Sequence, residues 1–181
     1  MHAIVKSFFA LVFCLSVAAC KTHSTSVLVG DKYDDKSNQT VLTLLPYGNI
    51  VMPGKWVKKS YNEVSRQHFF TNNDSTAIAL AINPKEKYPF FKPSQSDQDF
   101  VVDFVNWETD FWQQQSLEAK WLEDSSANGY IVWQVEGKNT NNIFLFAAKN
   151  GLAYNFLAAS PKWDDAQKVL FLRDLFLKNQ H

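Results

Sequence analysis

YIVWQVEGKNTNNIFLFAAKNGLAYNFLA, residues 130–158, holds three apolar runs separated by two polar breaks. The runs 130–135, 143–148 and 152–158 are rich in aromatic and aliphatic residues and short enough to be strands. Between the second and third stands Asn150-Gly151, a pair suited to a two-residue hairpin turn whose central residues take positive φ. The stretch therefore predicts a three-strand antiparallel meander, which needs a covering layer on at least one face. The residues that follow supply one. Ser160 is placed to cap a helix, Pro161 to occupy its first position, and Asp164 and Asp165 to meet its positive end. Trp163, Val169, Leu170, Leu172, Leu175 and Phe176 make that helix apolar on most sides, so it is expected to pack against both the sheet and another segment.

Working back from the meander, Phe100, Phe104, Trp107 and Phe111 recur at helical intervals, and Asp99 lies three residues after Ser96 as in a capping box. Leu117, Trp121 and Leu122 continue the apolar face out of phase, which predicts a bend or break at Gln113-Gln114-Gln115. Residues 67–71 and 76–82 read as a hairpin across the polar turn 72–75, with Ile78, Leu80 and Ile82 on one face and Ala77, Ala79 and Ala81 on the other. Residues 41–45, 50–52 and 55–59 read as short strands, the first two joined through Pro46-Tyr47-Gly48-Asn49. Pro84, Pro89 and Pro93 mark a crossing to residue 96 without regular structure. The element order predicts an α+β fold, an antiparallel β-sheet packed by two main helices.

The chain has 181 residues, enough for one domain, and carries 18 basic and 18 acidic side chains. A net charge of zero argues against a nucleic-acid partner, and Lys55, Lys58 and Lys59 read as a solvated strand edge. With 15 Phe, 6 Trp and 6 Tyr the chain has ample material for a core. The amino terminus, MHAIVKSFFALVFCLSVAAC, joins a basic residue at Lys6 to an apolar run over 8–17, the pattern of an export signal. Val17-Ala18-Ala19-Cys20 resembles the lipobox of bacterial lipoproteins. The resemblance implies removal of residues 1–19, acylation of Cys20, loss of Cys14 with the signal and hence no internal disulfide. Multiple acyl chains on Cys20 would hold the protein at a membrane without help from charge. Lys21 stands where Asp would mark inner-membrane retention in enteric-type lipoproteins, so the resemblance implies the outer membrane in a Gram-negative host. Residues 20–39 then read as a lipid-proximal tether and 40–181 as a single α+β domain.

Pro53-Gly54-Lys55-Trp56, the hairpin ending at Ile82, and Ser160-Pro161-Lys162-Trp163 at the final helix give the body a resemblance to the PsbP/Mog1-like α/β/α sandwich family. That resemblance implies an assembly or binding protein with no shared catalytic constellation. The chemical inventory points the same way. His23, His68 and His181 are dispersed and form no metal-ligand spacing. No nucleophile elbow, Walker loop, dinucleotide-binding glycine run or H-E-x-x-H sequence occurs. Asp31, Asp34 and Asp35 lack the turn and ligand spacing of a calcium loop, and no cofactor is expected. The expectation is a noncatalytic envelope binding or assembly module with a protein or glycan partner, its binding surface drawn from Trp56, Trp107, Trp112 and Trp133. The alternative is an envelope hydrolase acting on a glycan or peptide, with His68 and carboxylates such as Glu108, Asp110, Glu118 and Glu123 assembled into one cleft.

Overall fold

The computed structural model describes residues 27–180; the signal segment, the lipobox with Cys20, His23 and His181 lie outside the described residues. A seven-stranded antiparallel sheet runs through the middle of the molecule. Its strands are β4 (Val57–Asn62), β5 (Gln67–Thr71), β6 (Ala77–Pro84), β7 (Glu118–Ser125), β8 (Tyr130–Gly137), β9 (Thr140–Lys149) and β10 (Leu152–Ala159). They lie in the order β4-β5-β6-β10-β9-β8-β7. A smaller sheet is formed by β1 (Leu28–Asp34), β2 (Gln39–Leu45) and β3 (Gly48–Pro53). The helices are α1 (Asp97–Gln114) and α2 (Asp165–Asn179).

Strand alternation divides the core between the two faces of the large sheet. Leu80, Leu145 and Phe156 meet in register on one face, where Leu172, Leu175 and Phe176 of α2 and Leu42, Ile50 and Met52 of the small sheet cover them. On the other face Ile131, Trp133, Val135, Phe144 and Phe146 pack beneath Phe100, Val101, Phe104 and Val105 of α1. Phe104 lies parallel on Phe146 with centroids 3.4 Å apart. The central strands are apolar along their length because both of their faces are covered. The meander, the hairpin over 67–82 and the two packing helices match the sequence reading, and the architecture is an α+β sandwich.

Three local expectations are corrected. Residues 118–125 are an edge strand, so the chain does not resume a helix after the glutamines. Ser116 takes a left-handed φ of 60°, the Leu117 amide closes on the Trp112 carbonyl at 3.1 Å, and the following residues pair with β8. Leu117 and Ala119 face α1 at strand spacing, which a helical reading cannot place. The cap of α2 is Asp164, which exchanges bonds with Gln167 as a capping box. Ser160 instead accepts from the amides of Lys162 and Trp163, turning the chain one step earlier. Finally, residues 28–34, read as part of a tether, pair with β2 along their whole length. Their side chains are almost all exposed, which hid the strand from a search for apolar alternation. No helix among the described residues is long and apolar enough to cross a membrane.

Two polar devices fix α2 over the sheet. Asn179 accepts from the Val51 amide at 2.7 Å and donates to the Val51 carbonyl at 3.2 Å, serving the free edge of β3 as a neighbouring strand would. Lys168, almost fully buried, donates to Asp165 at 2.9 Å and to the Asn141 carbonyl at 3.4 Å. Gln134 and Asn141 also donate to Asp165 at 3.0 Å each, tying the start of the helix to β8 and β9.

Candidate functional site

The four tryptophans expected at a binding surface separate into core and surface. Trp133 is 1% exposed and stacks on Phe144 with centroids 4.4 Å apart, because alternation along β8 aims it at α1 with Ile131 and Val135. Trp56 is 5% exposed, donates its indole N–H to the Pro53 carbonyl at 2.8 Å and packs edge-on against Trp163. Both are core residues, and their places in the surface set are corrected. Trp112 is half-buried and donates to Glu108 at 3.0 Å. Trp107, 48% exposed, is the one of the four that stands open, resting on Phe90 and Phe104.

A cavity of about 540 Å³ opens where the small sheet meets the ends of β4, β5 and β6. Its apolar side comes from Val27, Val29 and Leu44 on the small-sheet side and Ile82 on β6. Lys58, Arg66 and Lys87 bring three cationic side chains to the same cavity. Lys58 is partly balanced by Asp31 of β1 at 3.7 Å. Among the described residues neither Arg66 nor Lys87 makes an ion pair, and no Asp or Glu lines the cavity.

His68 stands in the wall of this cavity. The β4–β5 register sets it opposite Tyr61, and the two rings lie 4.6 Å apart. The residue is 6% exposed, and its Nδ1 is buried with no hydrogen-bond partner. Burial, reinforced by the positive charge of Lys58 and opposed by Asp31, brings its pKa down to about 4. It is therefore a neutral imidazole at neutral pH, with one ring nitrogen unused.

Arg66 occupies the turn from β4 to β5 with φ of 54°. For a non-glycine residue that conformation costs of order 1 kcal/mol. Together with Asn83 and Lys87 it also borders a second, smaller cavity of about 200 Å³ on the α1 face, where Val64, Trp107 and Glu108 meet. There burial raises the Glu108 carboxyl above its usual range, opposed by the Trp112 hydrogen bond. Burial likewise pushes the neighbouring Tyr88 hydroxyl up to about 12.

His68 and the carboxylates Glu108, Glu118 and Glu123 of the hydrolase alternative are not assembled into one cleft by this fold. Glu118 and Glu123 lie on β7, five strand positions from β5. At about 4.8 Å per strand that is roughly 24 Å from His68, whereas paired glycosidase carboxyls stand roughly 5–9.5 Å apart. Glu123 is engaged by Tyr130 at 2.7 Å and Arg173 at 3.6 Å. Glu108 lies on the α1 side of the sheet, while the His68 cavity faces the small sheet. Among the described residues no group of three His, Cys, Asp or Glu is gathered to hold a metal ion.

Sequence reasoning named His68 and Lys58 but did not bring them together, and it missed Arg66 and Lys87. The hairpin register was a usable signal for the Tyr61–His68 pair. No signal revealed the far wall, since it is built by the strand read as tether. No protein-family model matches the chain, and no curated protein does. Among solved structures, the solution structure of cyanobacterial PsbP (CyanoP) from Synechocystis sp. PCC 6803 is similar at 12% sequence identity and a TM-score of 0.42, covering 86% of this chain and 93% of that one.

Proposed function

We propose that this protein is a noncatalytic binding or assembly module of a bacterial cell envelope, held at the membrane by acyl chains on Cys20, and that it engages its ligand in the cleft between the small sheet and the β4–β6 end of the large one. The observation that carries the reading is the make-up of that cleft. One concave site of about 540 Å³ combines apolar walls, two cationic side chains without an ion pair among the described residues, and a buried imidazole nitrogen without a partner. A mostly apolar pocket with a few convergent polar groups is the usual form of a ligand site. Among the described residues no carboxylate lines it, and the groups present suit holding and orienting a ligand. The lipobox resemblance supports the anchor, and Lys21 supports an outer-membrane address in a Gram-negative host.

The test is photocrosslinking in the intact cell from a benzophenone amino acid placed at Tyr61, with Leu170 on the exposed side of α2 as the control position. The expected result is a discrete adduct from Tyr61 and none from Leu170. Equal labelling from both positions would contradict the cleft assignment. Turnover of an envelope substrate, abolished by His68→Gln with the fold intact, would contradict the noncatalytic reading.

A further inference from the structure

We infer that the ligand of this cleft is a small amphiphilic oxyanion, whose carboxylate or phosphate head is held by Arg66 and Lys87 and whose apolar body lies along Val27, Val29 and Ile82. The inference rests on the cleft being the ligand site and adds the class of ligand.

Charge complementarity argues for the head. Lys58 already has Asp31 at 3.7 Å, leaving Arg66 and Lys87 as the cations of the cleft that make no direct ion pair among the described residues. A guanidinium presents a planar fork of donors that matches a carboxylate or phosphate in two parallel bonds. The backbone of Arg66 adds to this. Gly occupies a φ of 54° without steric cost, yet the turn carries the residue with the largest cationic head at that position. His68, more than nine-tenths buried in the wall of the cleft, keeps an Nδ1 that its own fold leaves without a partner. The body of the ligand follows from the opposite wall. Val27, just before β1, and Val29 within it are 41% and 39% exposed at the cleft, and an apolar chain laid there removes them from water together with the edge of Tyr61.

The full chain in zwitterionic nanodiscs is titrated with octanoate and with octyl phosphate, with octanol and inorganic phosphate as separate arms, while the imidazole resonances of His68 are followed by NMR. Either amphiphilic anion, or both, is expected to bind about tenfold or more tightly than octanol and than inorganic phosphate. Which of the two binds distinguishes a carboxylate from a phosphate head. Binding is also expected to raise the His68 titration midpoint, because an anion among Arg66, Lys87, Lys58 and Asp31 offsets the net positive field on the ring. Arg66→Gly is the informative variant: it relieves the left-handed backbone, so the unfolding midpoint is unchanged or higher, while affinity for the anion falls about tenfold or more. Octanol binding as tightly as the anions, or anion affinity unchanged in Arg66→Gly, would overturn the ligand class while a Tyr61 crosslink still stood. An undisturbed His68 in every arm, with no Tyr61 crosslink, would remove the cleft reading as well.

Discussion

The side chain of Asn179 does at one position what a whole strand does elsewhere. It is 2% exposed and supplies both a donor and an acceptor to the edge of β3 at Val51. Asn179→Ala leaves that amide and carbonyl without partners, so the variant is expected to lose about 1–3 kcal/mol in urea unfolding with little change in slope. A loss below about 0.5 kcal/mol would mean that water serves Val51 equally well. His68 gives a pH signature. Its pKa is about 4 in the folded protein against 6.5 in the unfolded chain, so the unfolded state takes up the proton first as pH falls. Stability is therefore full above pH 6.5 and is lost between there and about 4, by up to about 3 kcal/mol. His68→Gln is expected to flatten the curve over that window, which urea midpoints at several pH values would reveal. Asp165 acts lower. Its bond from Lys168, with Asn141 and Gln134 assisting, depresses its pKa, so its contribution is present above the unfolded carboxyl range and disappears as pH falls through the folded value. Residue types alone misplaced the tryptophans. Strand alternation sends Trp133 inward with Ile131 and Val135, while Trp107, at the edge of the α1 stripe, remains open.

At the level of elements, the places where the sequence could be read are those where local chemistry and tertiary packing agree. Asn150 and Gly151 take φ of 53° and 79° and join β9 to β10 as their type predicts. Ser96 accepts from the Asp99 amide at 3.0 Å and starts α1. The region after α1 misleads because Leu117, Trp121 and Leu122 are spaced compatibly with a helix, and only pairing with β8 decides for strand. Helix α2 buries a lysine, Lys168. Lys168→Ala removes both the contacts of its stem and its hydrogen bonds, and is expected to cost about 2–3 kcal/mol. Lys168→Met keeps the volume, and its partner Asp165 is open enough to water to be resolvated, so the expected cost is below about 1 kcal/mol. Chemical denaturation of the two variants side by side checks the ordering; equal losses would show that the ion pair, and not the packing of the stem, holds the helix.

For the whole molecule, the two-faced core follows from a sheet with α2 and the small sheet on one side and α1 on the other. That layering was legible from the apolar meander and the two helices. The cleft was not, because its wall is an exposed strand whose pairing with β2 depends on backbone bonds rather than on buried side chains. The proposed anchor at Cys20 stands close to the cleft in sequence, since β1 begins eight residues after it. Cys20→Ala is expected to abolish incorporation of a fatty-acid analogue, since alanine has no thiol to form the thioether; labelling equal to wild type would remove the lipid anchor. The most direct test of the cleft is native mass spectrometry of the protein released from its own membrane, compared with Arg66→Gly prepared in the same way. A small bound mass is expected on the wild-type protein and none on the variant. Release of both proteins without a bound mass, or with the same one, would contradict the cleft assignment.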